Sequence, residues 1–101
     1  MSKLKEATAI SSSTRLKVFE RDNGNCVMCG KPSHHCHHFI PRSRLGMGIE
    51  QNLVMLCSNC HYRIHNPKSE EEKIKLNAHL RKRLMMFYPD WKEEDLIYKK
   101  V

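Results

Sequence analysis

Apolar positions are scattered in the first third of the chain and periodic in the last, and the two regimes predict different elements. Residues 1–12, MSKLKEATAISS, are polar and Ser-rich, which predicts a frayed, flexible lead-in. Leu16, Val18 and Phe19 then supply apolar contacts for a short helix over 14–21, with Ser13 placed to cap it. Asp22, Asn23, Gly24 and Asn25 read as a turn. Residues 34–40 predict a short strand stopped by Pro41, whose ring removes a backbone donor. Leu53, Val54, Met55 and Leu56 form a brief, continuously apolar run, the pattern of a buried strand. A helix is expected from Ser58 to just before Pro67. Leu76, Leu80 and Leu84 recur every four residues, and Ser69 with Glu72 has capping-box spacing, so a longer helix should cover 70–87. Asp90 and Glu93 suggest a second cap before a short helix over 91–98.

Two short strands among helices make this an α+β chain. At 101 residues it is one small domain with a modest core, and such a domain needs a staple. The connection over 41–52, PRSRLGMGIEQN, is long for so small a fold, and loops of that length usually have a function. Three parts are expected: the lead-in over 1–12, a central unit over 13–66, and a helical extension over 67–101 packed on the same domain.

Charge narrows the partners. The formal net charge is +7 and the pI about 9.3, which favours a polyanion. The Lys and Arg residues are dispersed, as on a folded positive face and unlike a basic tail. No apolar run suits a signal peptide or a membrane span, so a cytoplasmic, reducing location is expected.

Five cysteines are present, and four of them form two CxxC pairs, Cys26 with Cys29 and Cys57 with Cys60. In a reducing compartment such pairs read as metal ligands before disulfides. Four thiolates can close a tetrahedron around Zn²⁺, and a closed site has no open position, so this zinc is expected to be structural. It would tie the two ends of the strand pair together. Cys36 is left over and fits a small buried side chain.

The histidines need a different explanation. The stretch SHHCHHFIP, residues 33–41, holds four of them. His61 and His65 lie four apart on a predicted helix, hence on one face and able to grip one metal. The zinc-stapled hairpin would bring His37 and His38 near that face. Three imidazoles plus water suit a divalent transition metal and leave positions open for substrate. In a regular strand His37 and His38 face opposite sides, so serving one site requires a twist or bend there. His34 and His35 fit turn or strand positions, and His79 the surface of the last long helix.

The order CxxC, HHFIP, NL with a short apolar strand, and CxxCH resembles the HNH endonucleases. It runs through Cys26, Cys29, His37, His38, Pro41, Asn52, Leu53, Cys57, Cys60 and His61, within residues 15–66. The HxxxH at 61 and 65 further resembles the metal-binding end of colicin-type nuclease domains. The resemblance implies a ββα-metal (His-Me finger) core with a zinc-ribbon staple, flanked by an N-terminal helix and C-terminal helices.

It also implies roles. His38 matches the general base that takes a proton from water, and His37 the metal-binding residue before it. His61 matches the last metal ligand, with His65 a third, and Asn52 the residue that braces the loop. The implied reaction is hydrolysis of DNA, leaving 5′-phosphate and 3′-hydroxyl ends. Histidine where the family often has Asp makes the site softer, so Mn²⁺, Ni²⁺, Co²⁺ or Zn²⁺ should compete with Mg²⁺.

Arg42, Arg44 and Arg63 are the cations best placed for backbone phosphates, and Lys73, Lys75, Arg81, Lys82 and Arg83 are candidates to extend that surface. The expected partner is double-stranded DNA, read with little sequence specificity. Small members of the family resemble phage and bacterial proteins, some working with the packaging terminase or in recombination. The alternative is an inactive zinc-ribbon protein that binds nucleic acid or acts as an adaptor.

Overall fold

The structure, a computed structural model, describes residues 3–99. Its centre is a pair of four-residue strands, β1 (His35–His38) and β2 (Leu53–Leu56). They run antiparallel, with His35 opposite Leu56 and His38 opposite Leu53. The helices are α1 (Lys3–Thr8), α2 (Ser12–Arg21), α3 (Ser58–His65) and α4 (Glu70–Phe87). Single 3-10 turns occur at Arg42–Arg44, Glu50–Asn52 and Glu93–Leu96. The α+β class is as the sequence led us to expect. No described helix is long and apolar enough to cross a membrane.

All four β2 side chains are buried because the strand has protein on both faces. Val54 and Leu56 join Phe39, Ile40, Leu80 and Leu84 in the larger apolar cluster. Leu53 and Met55 point the other way, onto Val18 of α2. The stripe of Leu76, Leu80 and Leu84 is the buried face of α4, and Ser69 caps its start by accepting the Glu72 amide at 3.1 Å.

A buried ion pair fastens α2 to β2. The Arg21 guanidinium grips both Asp22 carboxylate oxygens at 2.9 and 3.0 Å. Its remaining N–H groups donate to the carbonyls of Glu50 and Leu53 and to the Tyr88 hydroxyl. Asp22 in turn accepts the Met55 amide at 3.0 Å, and the Val27 amide reaches the Met55 carbonyl at 3.0 Å. Arginine's fixed fork suits this many-sided contact.

Several boundaries differ from expectation. Residues 3–8 form a helix where a flexible lead-in was expected, since the segment docks on the central unit: the Gly48 amide donates to the Ala7 carbonyl at 2.9 Å. Helix α2 starts at Ser12 with Ser11 as its cap, and Leu16 and Phe19 stay largely exposed while Val18 alone of the three is buried. Strand β1 is shorter than 34–40 because its partner is only four residues long and Asn52 takes over the backbone of Ile40. The helix expected over 91–98 is one 3-10 turn. The chain there is drawn out to pair with the 45–47 loop: Met47 donates to Leu96 and Tyr98 to Leu45, both at 2.8 Å. The Trp91 indole is held by the Gln51 carbonyl at 2.7 Å.

Candidate metal centre and active groove

The first knuckle is a tight turn in which the Cys26 amide donates to Lys31 and the Gly30 amide to Cys26. Gly30 has φ +81°, a left-handed conformation that glycine adopts without strain. The second knuckle is the start of α3, where Cys57 occupies the cap position. Between them, Cys26, Cys29, Cys57 and Cys60 place their sulfurs within 4.8 Å of one another. Cys29 Sγ and Cys57 Sγ are 3.5 Å apart, close to what two sulfurs ~2.3 Å from one tetrahedral ion would show.

The electrostatics agree with a cation seat. The Cys57 thiol is pulled down to about 7, chiefly by the Cys60 backbone amide. Burial and the three neighbouring thiols push Cys60 up. Four sulfurs this close cannot all ionise without a positive charge among them. The cluster can hold zinc.

A second cluster is made of nitrogen. His37 of β1 meets His61 and His65 of α3, with ring nitrogens within 4.8 Å of one another. Ring centroids are 5.2 Å apart for His37–His61, 5.5 Å for His37–His65 and 4.5 Å for His61–His65. The His61 and His65 Nε2 atoms approach to 3.2 Å, as the i, i+4 spacing on one helix allows. His37 is 7% exposed; burial, then His61, His65 and His38, hold it down to about 3. His61 is also lowered, first by burial and then by His65 and His35. Three imidazoles converging this way fit a divalent metal ion.

His38 is the last residue of β1, where the chain leaves the strand in a bend. It does not join the His37 cluster. Its Nε2 lies 2.9 Å from the Thr8 carbonyl oxygen, and burial holds its pKa below the ordinary imidazole range. Even so, His37 and His38 line one groove of about 430 Å³, together with Arg44, His65, Lys73 and Arg81. The strand alternation holds at these two residues: the His37 ring joins His61 and His65, while the His38 ring turns to Thr8.

Asn52 is fully buried, and its amide reaches the backbone of Ile40 on one side and the Met47 carbonyl at 2.8 Å on the other. Gly46 leaves room for this brace: a Cβ there would lie 1.7 Å from the Ile40 carbonyl oxygen and 3.0 Å from Asn52 Nδ2.

The three arginines expected at phosphates are placed differently. Arg44 lines the groove. Arg42 turns toward α1, its Nε 3.4 Å from the Thr8 hydroxyl. Arg63 is exposed on α3 outside the groove lining. Among the cations of α4, Lys73 and Arg81 line the groove, Arg81 being paired with Glu93 at 3.0 Å. Lys75 pairs with Glu71, and Arg83 lies over the Phe87 ring. His34 stacks on Phe19, while Cys36 is half-buried with its sulfur 3.6 Å from Met55 Sδ. Thr8 and the Arg21–Asp22 pair were not legible as parts of this region. Thr8 contributes a backbone oxygen, which no side-chain pattern reveals.

A hairpin and helix carrying a sulfur cradle on one side and three converging imidazoles on the other make a small ββα module with two candidate metal seats. The HNH endonuclease family model matches residues 26–67, the segment that carries both clusters. The chain is also 33% identical over 69 residues to the type IV methyl-directed restriction enzyme EcoKMcrA of Escherichia coli (strain K12). That alignment takes in 58% of this chain and 25% of the relative, so the similarity spans a quarter of the longer protein.

Proposed function

We propose that this chain is a metal-dependent endonuclease that hydrolyses DNA phosphodiester bonds to 5′-phosphate and 3′-hydroxyl ends. The observation that carries the reading is the shared groove: His38 lines it together with His37 and His65 of the imidazole cluster, with Arg44 and Lys73 beside them. A phosphate seated there meets positive charge and a base at once.

His37, His61 and His65 would hold the divalent ion, drawn from Mg²⁺, Mn²⁺, Ni²⁺, Co²⁺ or Zn²⁺. When bound, it supplies charge to offset that building on the phosphoryl and leaving oxygens. His38, kept neutral by burial at ordinary pH, takes the proton from the attacking water. Asn52 holds the bend that aims His38, through the backbone of Ile40. Arg44 and Lys73 orient the strand by its phosphates, which gives little sequence preference. Cys26, Cys29, Cys57 and Cys60 would hold the structural zinc and have no part in the chemistry. The relative's name describes methyl-directed restriction; for this chain the proposal is confined to the cutting step.

The test is plasmid cleavage with a panel of divalent metals, wild type against His38→Ala. A loss of about 10²- to 10⁴-fold with folding retained is expected from removal of a general base. Equal cutting by both proteins would take the role away from His38. A wild type that binds DNA but fails to cut it with any of the metals would favour the adaptor alternative.

A further inference from the structure

We propose that the main-chain carbonyl of Thr8 is a positioning group for His38, fixing the ring with its proton on Nε2 and leaving Nδ1 as the free lone pair. The inference rests on the reading of His38 as the general base and adds a part that no motif contains. A carbonyl oxygen only accepts, so Nε2, 2.9 Å away, must be the donor. A neutral imidazole has one N–H, and its other nitrogen is then an acceptor. A base whose proton sits on the wrong nitrogen cannot take another from water, so choosing the tautomer is part of preparing the site.

The carbonyl is held by a built seat. The last carbonyls of a helix have no intrahelical donor, and α1 directs two of them at the central unit. Ala7 accepts the Gly48 amide at 2.9 Å, and Thr8 faces His38. Thr8 is 3% exposed, its hydroxyl donating to the Leu4 carbonyl at 2.9 Å while Arg42 Nε approaches it at 3.4 Å. Downstream, Ile10 packs against the cluster of Val18, Leu53 and Met55. Gly48 sets the approach of the two segments: a Cβ there would lie 2.0 Å from the Ala9 carbonyl oxygen. The N-terminal segment thus reaches the candidate base from behind its strand, and Gly48 is the residue that lets it close in.

Long-range ¹H–¹⁵N spectra of the zinc-loaded 101-residue chain read the tautomer directly, with His38 assigned by the peaks missing from His38→Ala. The expected result is a single Nε2–H form; an Nδ1–H ring or a mixture overturns the proposal. Gly48→Ala should displace Ala9 and mix the tautomers. It should also lower kcat by about a hundredfold, the cost of a small misplacement, with KM little changed. A variant that loses protection of the Gly48 amide from exchange yet keeps the pure tautomer and wild-type kcat would equally overturn it. If Gly48→Ala does not fold, the wild-type spectrum decides alone. Cutting by His38→Ala at the wild-type rate would remove the base reading without touching the tautomer, so the two failures are distinct.

Discussion

Asn52 holds both backbone polar groups of Ile40: its Oδ1 accepts the Ile40 amide at 2.8 Å, and its Nδ2 donates to the Ile40 carbonyl at 3.1 Å. One side chain thereby replaces a strand neighbour at the point where β1 ends. Asn52→Ala leaves the two buried backbone groups of Ile40 and the part-buried Met47 carbonyl without this partner, and a loss of about 2–3 kcal/mol in denaturant unfolding is expected. Cutting should fall more than stability predicts, since the bend that follows His38 loosens. Asn52→Asp should be worse, because a carboxylate oxygen would face the Ile40 and Met47 carbonyls.

The cysteine cluster should govern folding. Cys57→Ser, or a strong chelator added to the wild type, is expected to release zinc and collapse the near-UV and far-UV circular dichroism together. A structural zinc contributes on the order of 10 kcal/mol of apparent binding energy, comparable with the whole stability of a small domain. A Cys57→Ser protein that stays folded with its metal would end the structural assignment.

The histidine cluster should govern activity and leave the fold alone. His61→Ala is expected to abolish a calorimetric site for Mn²⁺ or Ni²⁺ and stop cutting, while one zinc per chain remains by elemental analysis. Loss of both metals together would mean that the two clusters are not independent.

The Arg21–Asp22 pair should be costly to break and cheap to replace. Their side chains are 10% and 0% exposed, so Asp22→Ala strands a buried guanidinium and an unpartnered Met55 amide. A cost of about 3–5 kcal/mol is expected from urea unfolding. The double change Arg21→Met with Asp22→Leu should cost clearly less than the sum of the single changes.

What the sequence made legible follows from what each part is made of. Cys26, Cys29, Cys57 and Cys60, and His37, His61 and His65, offer ligand atoms on side chains whose type and spacing are visible before folding. The structure gathers each set. The Leu76–Leu80–Leu84 stripe was equally plain because burial on one helix face imposes its own period. Helix α1 was hidden for the opposite reason: its sequence has no apolar repeat, and its place depends on carbonyls meeting Gly48 and His38 from distant parts of the chain. The turn at Glu93–Leu96 was misread because local capping signals were outweighed by pairing with the 45–47 loop. The Arg21–Asp22 pair looked like the end of a helix and the start of a turn, since nothing local announces that a charge will be buried.

The ties that fasten α2 and the first knuckle to β2 have one more effect. The backbone groups of Leu53 and Met55 that point away from β1 are all taken: Leu53 by Glu50 and Arg21, Met55 by Asp22 and Val27. A two-stranded ribbon ordinarily offers a raw edge on which foreign chains can template. Here that margin is already sealed by the protein's own side chains and amides. Self-association through strand addition along β2 is therefore closed off, and an apolar strand can sit beside the histidine-lined groove without inviting aggregation.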